Sequence, residues 1–221
     1  MSTERGCYIV IEGNDGTGKS TQVRLLGDYL AYKGHEVVIV EEPGSDDPDK
    51  STPVANELRR VIKDGRLQRA PEINLALFSA ARRELWQQKI APGLGRGAFV
   101  LAARNYISTL AYQGTGEGVS QEEIIRQTAL FTDERYMHPD HLVILDLASE
   151  DERTRRIQER GELEAPDTFE SKDPQFQARV NTAYHQIASA RGLPIIDCID
   201  RSHHRKTPDE IQAEIRQLLG L

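Results

Sequence analysis

The segment Gly13-Asn14-Asp15-Gly16-Thr17-Gly18-Lys19-Ser20 fits the pattern G-x-x-x-x-G-K-[ST] at every position, and it constrains the chain more than any other feature. An apolar run, Cys7 to Glu12, stands directly before it, and a helical stretch, Lys19 to Lys33, directly after. Strand, glycine-rich turn and helix in that order let successive backbone N–H groups curl around an anion, and the helix dipole adds to the attraction. Gly13 through Ser20, with Thr21, are therefore the candidate residues for binding the phosphates of a nucleoside triphosphate. Lys19 is placed to reach the terminal phosphates, and the Ser20 hydroxyl to take a Mg²⁺ position.

Four further β-type runs follow: Glu36 to Val40, Ala98 to Ala102, His141 to Leu147 and Leu193 to Cys198. Between and after them lie helical stretches over Val54 to Asp64, Pro71 to Leu94, Gln121 to Thr132, Glu150 to Arg160, Pro174 to Arg191 and Pro208 to Leu219. Strands rich in Val, Ile and Leu that alternate with helices predict a five-stranded parallel sheet covered on both faces, a three-layer α/β fold. Ligands of such a sheet bind outside the carboxyl ends of its strands. With 221 residues, the chain reads as one domain, 1–221. Pro43 to Pro53 and Gly161 to Pro174 are its least regular stretches and are candidates for mobile loops over a site. The acidic run Glu41 to Asp49 reads most simply as a solvated loop.

Composition narrows the partners. A net charge of −7 argues against nucleic acid, which needs clustered excess Lys and Arg. No apolar run approaches the ~20 residues that span a bilayer. Met1 to Arg5 are polar and lead straight into a strand, so no signal peptide is visible and a cytoplasmic location is expected. Cys7 and Cys198 read as two buried free thiols.

Three more blocks carry candidate chemistry. In Leu77-Phe78-Ser79-Ala80-Ala81-Arg82, Phe78 and Arg82 are four apart and share one helix face. By chemistry alone, Phe78 reads as core and Arg82 as a solvated cation. Arg104-Asn105-Tyr106-Ile107-Ser108-Thr109-Leu110-Ala111-Tyr112-Gln113-Gly114 follows the third strand. Arg153, Arg155, Arg156 and Arg160 crowd one helix end ahead of Asp167-Thr168-Phe169-Glu170, where surface ion pairs and phosphate-facing cations are both open readings.

With the phosphate loop, these blocks make the chain resemble the thymidylate kinase family of P-loop nucleoside monophosphate kinases through almost its whole length. The resemblance implies a P-loop kinase fold that phosphorylates dTMP with ATP and Mg²⁺, a lid over about 150–172, and a homodimer packed through helices. Phe78 then stacks on the pyrimidine and Arg82 donates to a base carbonyl. Arg104 holds the acceptor phosphate, and Ser108, Thr109, Tyr112 and Gln113 line the thymine and sugar pocket. Asp15 faces the acceptor's sugar or helps hold magnesium. Gly16 stands where some members carry an arginine, which implies catalytic arginines from the lid, Arg156 and Arg160 foremost. Asp167 and Glu170 match acids that contact the acceptor or its ions.

The pattern breaks around the acceptor phosphate and the metal. Glu41 stands where the family usually has arginine, Ala103 where it has aspartate, Asn105 where it has an aromatic residue or histidine, and Thr168 where arginine is common. Asp146 is open to two readings, a replacement acid or a helix cap. These departures keep two alternatives in view: a kinase for another deoxynucleoside monophosphate, and a degenerate nucleotide-binding regulatory protein.

Overall fold

The apolar run before the phosphate loop becomes the central strand of the sheet. In a computed structural model, residues 5–147, 149–161, 169, 173–200 and 204–221 are described, with 150, 151 and 159–161 by backbone alone. Five strands, β1 (Cys7–Gly13), β2 (Val37–Glu41), β3 (Phe99–Ala103), β4 (His141–Asp146) and β5 (Ile195–Asp197), form one sheet. Its order is β2-β3-β1-β4-β5, and every pairing is parallel. The helices are α1 (Lys19–Tyr32), α2 (Pro53–Lys63), α3 (Pro71–Leu85), α4 (Ala91–Gly95), α5 (Tyr106–Thr109), α6 (Gln121–Phe131), α7 (Glu134–Met137), α8 (Glu150–Gly161), α9 (Pro174–Arg191) and α10 (Pro208–Leu219).

Successive side chains of a strand point to opposite faces, and β1 uses both. Tyr8 and Val10 pack into the core under α3 and α9, with Leu75, Leu85, Val180 and Tyr184. Ile9 and Ile11 pack into the core under α1 and α10, with Val23, Leu26, Ile211 and Ile215. This double burial is why the strand reads as an unbroken apolar run.

Several boundaries differ from expectation. β2 and β3 each run one residue later than their apolar runs suggest, which places Glu41 and Ala103 inside the sheet as register partners. The single helix expected over Pro71 to Leu94 is interrupted by a π-helical turn, Trp86–Ile90. The Ala91 N–H reaches back to the Trp86 carbonyl there. Pro92 lacks an N–H and its ring crowds the preceding turn, and the widened turn accommodates it. α5, the π-helical Leu110–Gly116 that continues it, and α7 had no legible apolar period and were not expected.

The loop after β2 is anchored to the body of the protein, although Asp46 and Asp49 stay exposed. Glu42 and Ser45 are buried, the Ser45 N–H donates to Asn56 Oδ1 at 3.0 Å, and a 3₁₀ turn (Pro48–Lys50) closes on the Asp47 carboxylate. Of the expected lid over about 150–172, α8 and Phe169 are described. Asp167, Thr168 and Glu170, with the side chain of Arg160, lie outside the described residues.

Both cysteines are free; Cys198 is buried and Cys7 only half-buried. Burial pushes each thiol up to about 11. Because thiolate is the reactive form, alkylation by iodoacetamide at about pH 8 is expected to be slow at both in the folded protein and slowest at Cys198. Denaturant is expected to make both fast. Rapid labelling of Cys198 in the folded chain, read by peptide mass spectrometry, would contradict its placement.

Candidate active site

β1 delivers the chain to the phosphate loop at a point where only glycine fits. Gly13 has φ +137°, and a Cβ there would stand 2.3 Å from the Leu145 carbonyl of β4. The loop then fastens onto itself. Thr17 Oγ1 and Lys19 Nζ both donate to the Asn14 carbonyl, each at 2.8 Å, so Lys19 lies folded back over the loop. Ser20 and Thr21 are exposed in the first turn of α1, facing a cleft at the carboxyl end of the sheet.

The lid helix leans on this loop. Gly16, at φ +82°, would set a Cβ 3.2 Å from the Arg153 carbonyl of α8. Arg156 Nη1 donates to the Gly16 carbonyl at 3.2 Å, while its Nε pairs with Glu152 at 2.6 Å. Glu152 also receives Arg155 at 2.9 Å and Arg205 at 2.8 Å. Thus Arg156 is brought to the phosphate loop, Arg153 is buried beside it, and Arg155 is held in a surface pair.

Two chambers open side by side. The phosphate cleft is bounded by the loop from Asp15 to Thr21 and by the end of β2. The second chamber collects Phe78, Arg82, Arg104, Ser108, Thr109, Tyr112 and Gln113, every expected nucleoside-binding residue that the structure describes. Asp15, Glu42, Pro43, Lys63 and Arg104 line both.

Arg104 is the hinge between them. It has φ 76°, a left-handed conformation that costs a non-glycine residue ~1–3 kcal/mol and persists only where its surroundings fix it. They do. Its N–H donates to the Ile11 carbonyl at 3.1 Å. Its guanidinium donates to the Gly13 carbonyl (3.1 Å), Ser108 Oγ (2.8 Å), Tyr184 OH (3.1 Å) and the Asp15 carboxylate. Burial opposes the charge, and the adjacent Asp15 more than restores it, holding Arg104 well above its ordinary pKa. The Tyr112 hydroxyl lies 2.7 Å from Asp15 Oδ2 and 2.8 Å from Asn14 Oδ1, and burial raises its pKa so that it stays a donor.

Arg82 is not the solvated cation that bare chemistry suggests; it is 1% exposed. Its Nε donates to Glu42 (3.2 Å) and Tyr136 OH (2.9 Å), Nη2 to Thr109 Oγ1 (2.8 Å) and Nη1 to Thr128 Oγ1 (3.4 Å). A guanidinium has five N–H groups, so two remain available on the chamber wall. Phe78, one turn away, is packed against Phe169 with ring centroids 5.9 Å apart, and Phe169 meets Tyr112 at 6.0 Å. Gln113 is buried and its amide donates to Glu117 at 3.2 Å.

Glu12 was missed, although it is the one charged residue in the strand run that precedes the loop. It is fully buried and receives donors from Gly13 N (3.3 Å), Asn105 N (2.7 Å), Ser108 N (3.1 Å), Ser108 Oγ (2.7 Å) and Tyr184 OH (3.1 Å). Arg59 and Lys63, on α2, add two cations to the cleft that no motif announced. Among the described residues Asp146 receives no helix-end amide, and it lines neither chamber: its carboxylate stands 3.3 Å from His185, and Ser149 Oγ accepts the Glu152 N–H at 3.2 Å instead.

Residues 11–204 match the family model described as thymidylate kinase. A thymidylate kinase from Chlorobaculum tepidum is 36% identical over 214 residues, 93% of this chain and 96% of its own. One from Gluconobacter oxydans is 32% identical over 216 residues, 96% of this chain and 94% of its own. Among solved structures, thymidylate kinase from Ehrlichia chaffeensis aligns with a TM-score of 0.74 at 25% identity, covering 97% of this chain and 98% of that one.

Removing one member of a buried ion pair strands the other. Arg82→Met is therefore expected to lower stability by ~3–5 kcal/mol, and Arg82→Met with Glu42→Gln by less than the sum of the two single losses. Urea unfolding midpoints measure both, and additive losses would show that the two side chains are not coupled.

Proposed function

The chain belongs to the thymidylate kinase family, and we propose that its two chambers serve one reaction, transfer of the γ-phosphate of ATP to dTMP to give dTDP and ADP, a step toward dTTP. Arg104 carries this assignment. One guanidinium, held protonated, lines both the phosphate cleft and the nucleoside chamber, at the point where an acceptor phosphate would meet a donor phosphate.

ATP binds along Gly13 to Thr21, and Lys19 exchanges the Asn14 carbonyl for the β- and γ-phosphates. The thymine ring lies against Phe78, and the two remaining Arg82 N–H groups face a base carbonyl. Ser108, Thr109, Tyr112 and Gln113 close around base and sugar, with Asp15 on the sugar side. Arg104 grips the acceptor phosphate and orients it for in-line attack. Arg156, already at the Gly16 carbonyl, meets charge that develops on the transferred group. For Arg160, Asp167 and Glu170 the roles proposed are those that the family resemblance implies. Lid closure excludes water and so limits hydrolysis of ATP.

Magnesium fits the donor set. The Ser20 hydroxyl and the Asp15 carboxylate are hard oxygen ligands on one cleft, suited to a cation held jointly with nucleotide phosphates. When bound, it supplies charge neutralisation to the β- and γ-phosphates.

A homodimer and a cytoplasmic location complete the proposal. Val54 and Val61 on α2, Ile73 on α3 and Leu130 on α6 are exposed, on helices packed side by side, and support an interface there. Sedimentation is expected to give twice the 24.8 kDa chain mass, and Ile73→Asp with Val61→Asp to shift it toward the monomer. A monomer in the unmodified protein would remove the dimer.

With ATP, Mg²⁺ and a panel of nucleoside monophosphates, turnover is expected to be greatest with dTMP. Turnover only with another monophosphate would favour the related kinase, and binding without turnover the regulatory protein. Lys19→Ala is expected to abolish turnover and Arg104→Ala to cut it by at least about a hundredfold; an ordinary rate in either variant would contradict these roles.

A further inference from the structure

The phosphate cleft is lined by four carboxylates, and three are clamped by arginine. Asp15 is held by Arg104. Glu42 is held by Arg82 at 3.2 Å, and Asp46 by Arg59 at 2.7 Å. Glu41 is different. It receives the Ser45 hydroxyl at 3.0 Å and stands 3.9 Å from the Lys50 ammonium, a long pair that Lys50 divides with Asp47 at 3.2 Å. A carboxylate offers about four lone-pair directions, so Glu41, with one short hydrogen bond and one long ion pair, keeps acceptor capacity for further donors.

Its position matters as much as its freedom. Glu41 ends β2, and its register partner across the sheet is Ala103, the last residue of β3, whose methyl group can accept nothing. Asp146, at the end of β4, does not line the cleft. Among the described strand ends beside the phosphate loop, Glu41 is therefore the one that presents a carboxylate to the cleft shared with Lys19 and Ser20. Its side chain is 22% exposed, which leaves it open to an ion's water shell.

We propose that Glu41 is a positioning residue for the divalent cation of the bound nucleotide: it accepts hydrogen bonds from the cation's water ligands and orients them toward the acceptor side. The proposal rests on the assignment of this cleft as the phosphoryl-transfer site. It turns an acid near a phosphate dianion from an obstacle into a working part, because a hydrated cation held there would offset the repulsion between the two charges. Lys50 and the α2 cations Arg59 and Lys63 balance the remaining negative charge.

The test is a Mn²⁺ titration, by electron paramagnetic resonance, of the full chain complexed with a non-hydrolysable ATP analogue. Outer-shell carboxylates typically govern metal affinity by about tenfold or more. Glu41→Gln is expected to weaken Mn²⁺ by about that factor and to lower kcat while KM for dTMP changes little. Adding Ala103→Asp to Glu41→Gln should return part of the Mn²⁺ affinity, since the new acid stands beside the lost one. Lys50→Met should tighten Mn²⁺ by removing a competing cation. Unchanged Mn²⁺ affinity in Glu41→Gln overturns the proposal. So does a fall in KM for dTMP with kcat unchanged, the signature of a carboxylate that merely repels the acceptor. The Mn²⁺ signal needs no turnover, so an enzyme that phosphorylates no monophosphate would defeat the kinase assignment and still leave Glu41 tested.

Discussion

Glu12 is a fully buried carboxylate at the end of the central strand, and the active end of the molecule is arranged around it. Burying such a charge without partners would cost several kcal/mol; here the backbone amides of Asn105, Ser108 and Gly13 and two hydroxyls surround it. Those donors come from four parts of the chain: the start of the phosphate loop, the Arg104–Asn105 turn, α5 and α9. One residue thus fixes the spacing between the triphosphate loop and the arginine that faces it. The left-handed backbone of Arg104 is affordable because this network leaves it no other conformation.

Much of the frame was legible beforehand, for identifiable reasons. Strands buried on both faces leave long Val, Ile and Leu runs, and the phosphate loop carries a spacing that few other folds use. Boundaries moved where the pattern and the ladder disagree. Glu41 and Ala103 look like loop residues because one is charged and both follow the apolar run, yet both pair in the sheet. The site divides in the same way. Residues inside contiguous motifs, such as Phe78, Arg82, Ser108, Thr109, Tyr112 and Gln113, converged on one chamber. Residues that act through burial did not announce themselves: Glu12, Tyr136 and Tyr184 become functional only once folding removes water from around them. Arg59 and Lys63 read as ordinary surface cations of α2, because nothing in a helical period tells which cation overlooks a cleft.

The contact between α8 and Gly16 explains a choice written into the loop. A side chain at that position would crowd the Arg153 backbone and strain a left-handed φ, so a cation carried by the loop there would displace the lid helix or distort the loop. Arg156 supplies the guanidinium from the other side, on α8, and Phe169, farther along the chain, meets Phe78 and Tyr112 in the wall of the second chamber. Described parts of the expected lid therefore border both chambers.

The common wall of the two chambers has a thermodynamic consequence. Asp15, Glu42, Pro43, Lys63 and Arg104 belong to both, so whatever settles their side chains for one ligand settles them for the other. In the proposed reaction, Arg104 moving from Asp15 to a phosphate would take the cation from that carboxylate while the Tyr112 hydroxyl stays on it, on the opposite side of the same wall. Linkage then requires that each nucleotide alter the affinity of the other by one and the same factor, whichever arrives first. Order of addition carries no energetic privilege in such a site, and an inhibitor built for either chamber carries the coupling with it.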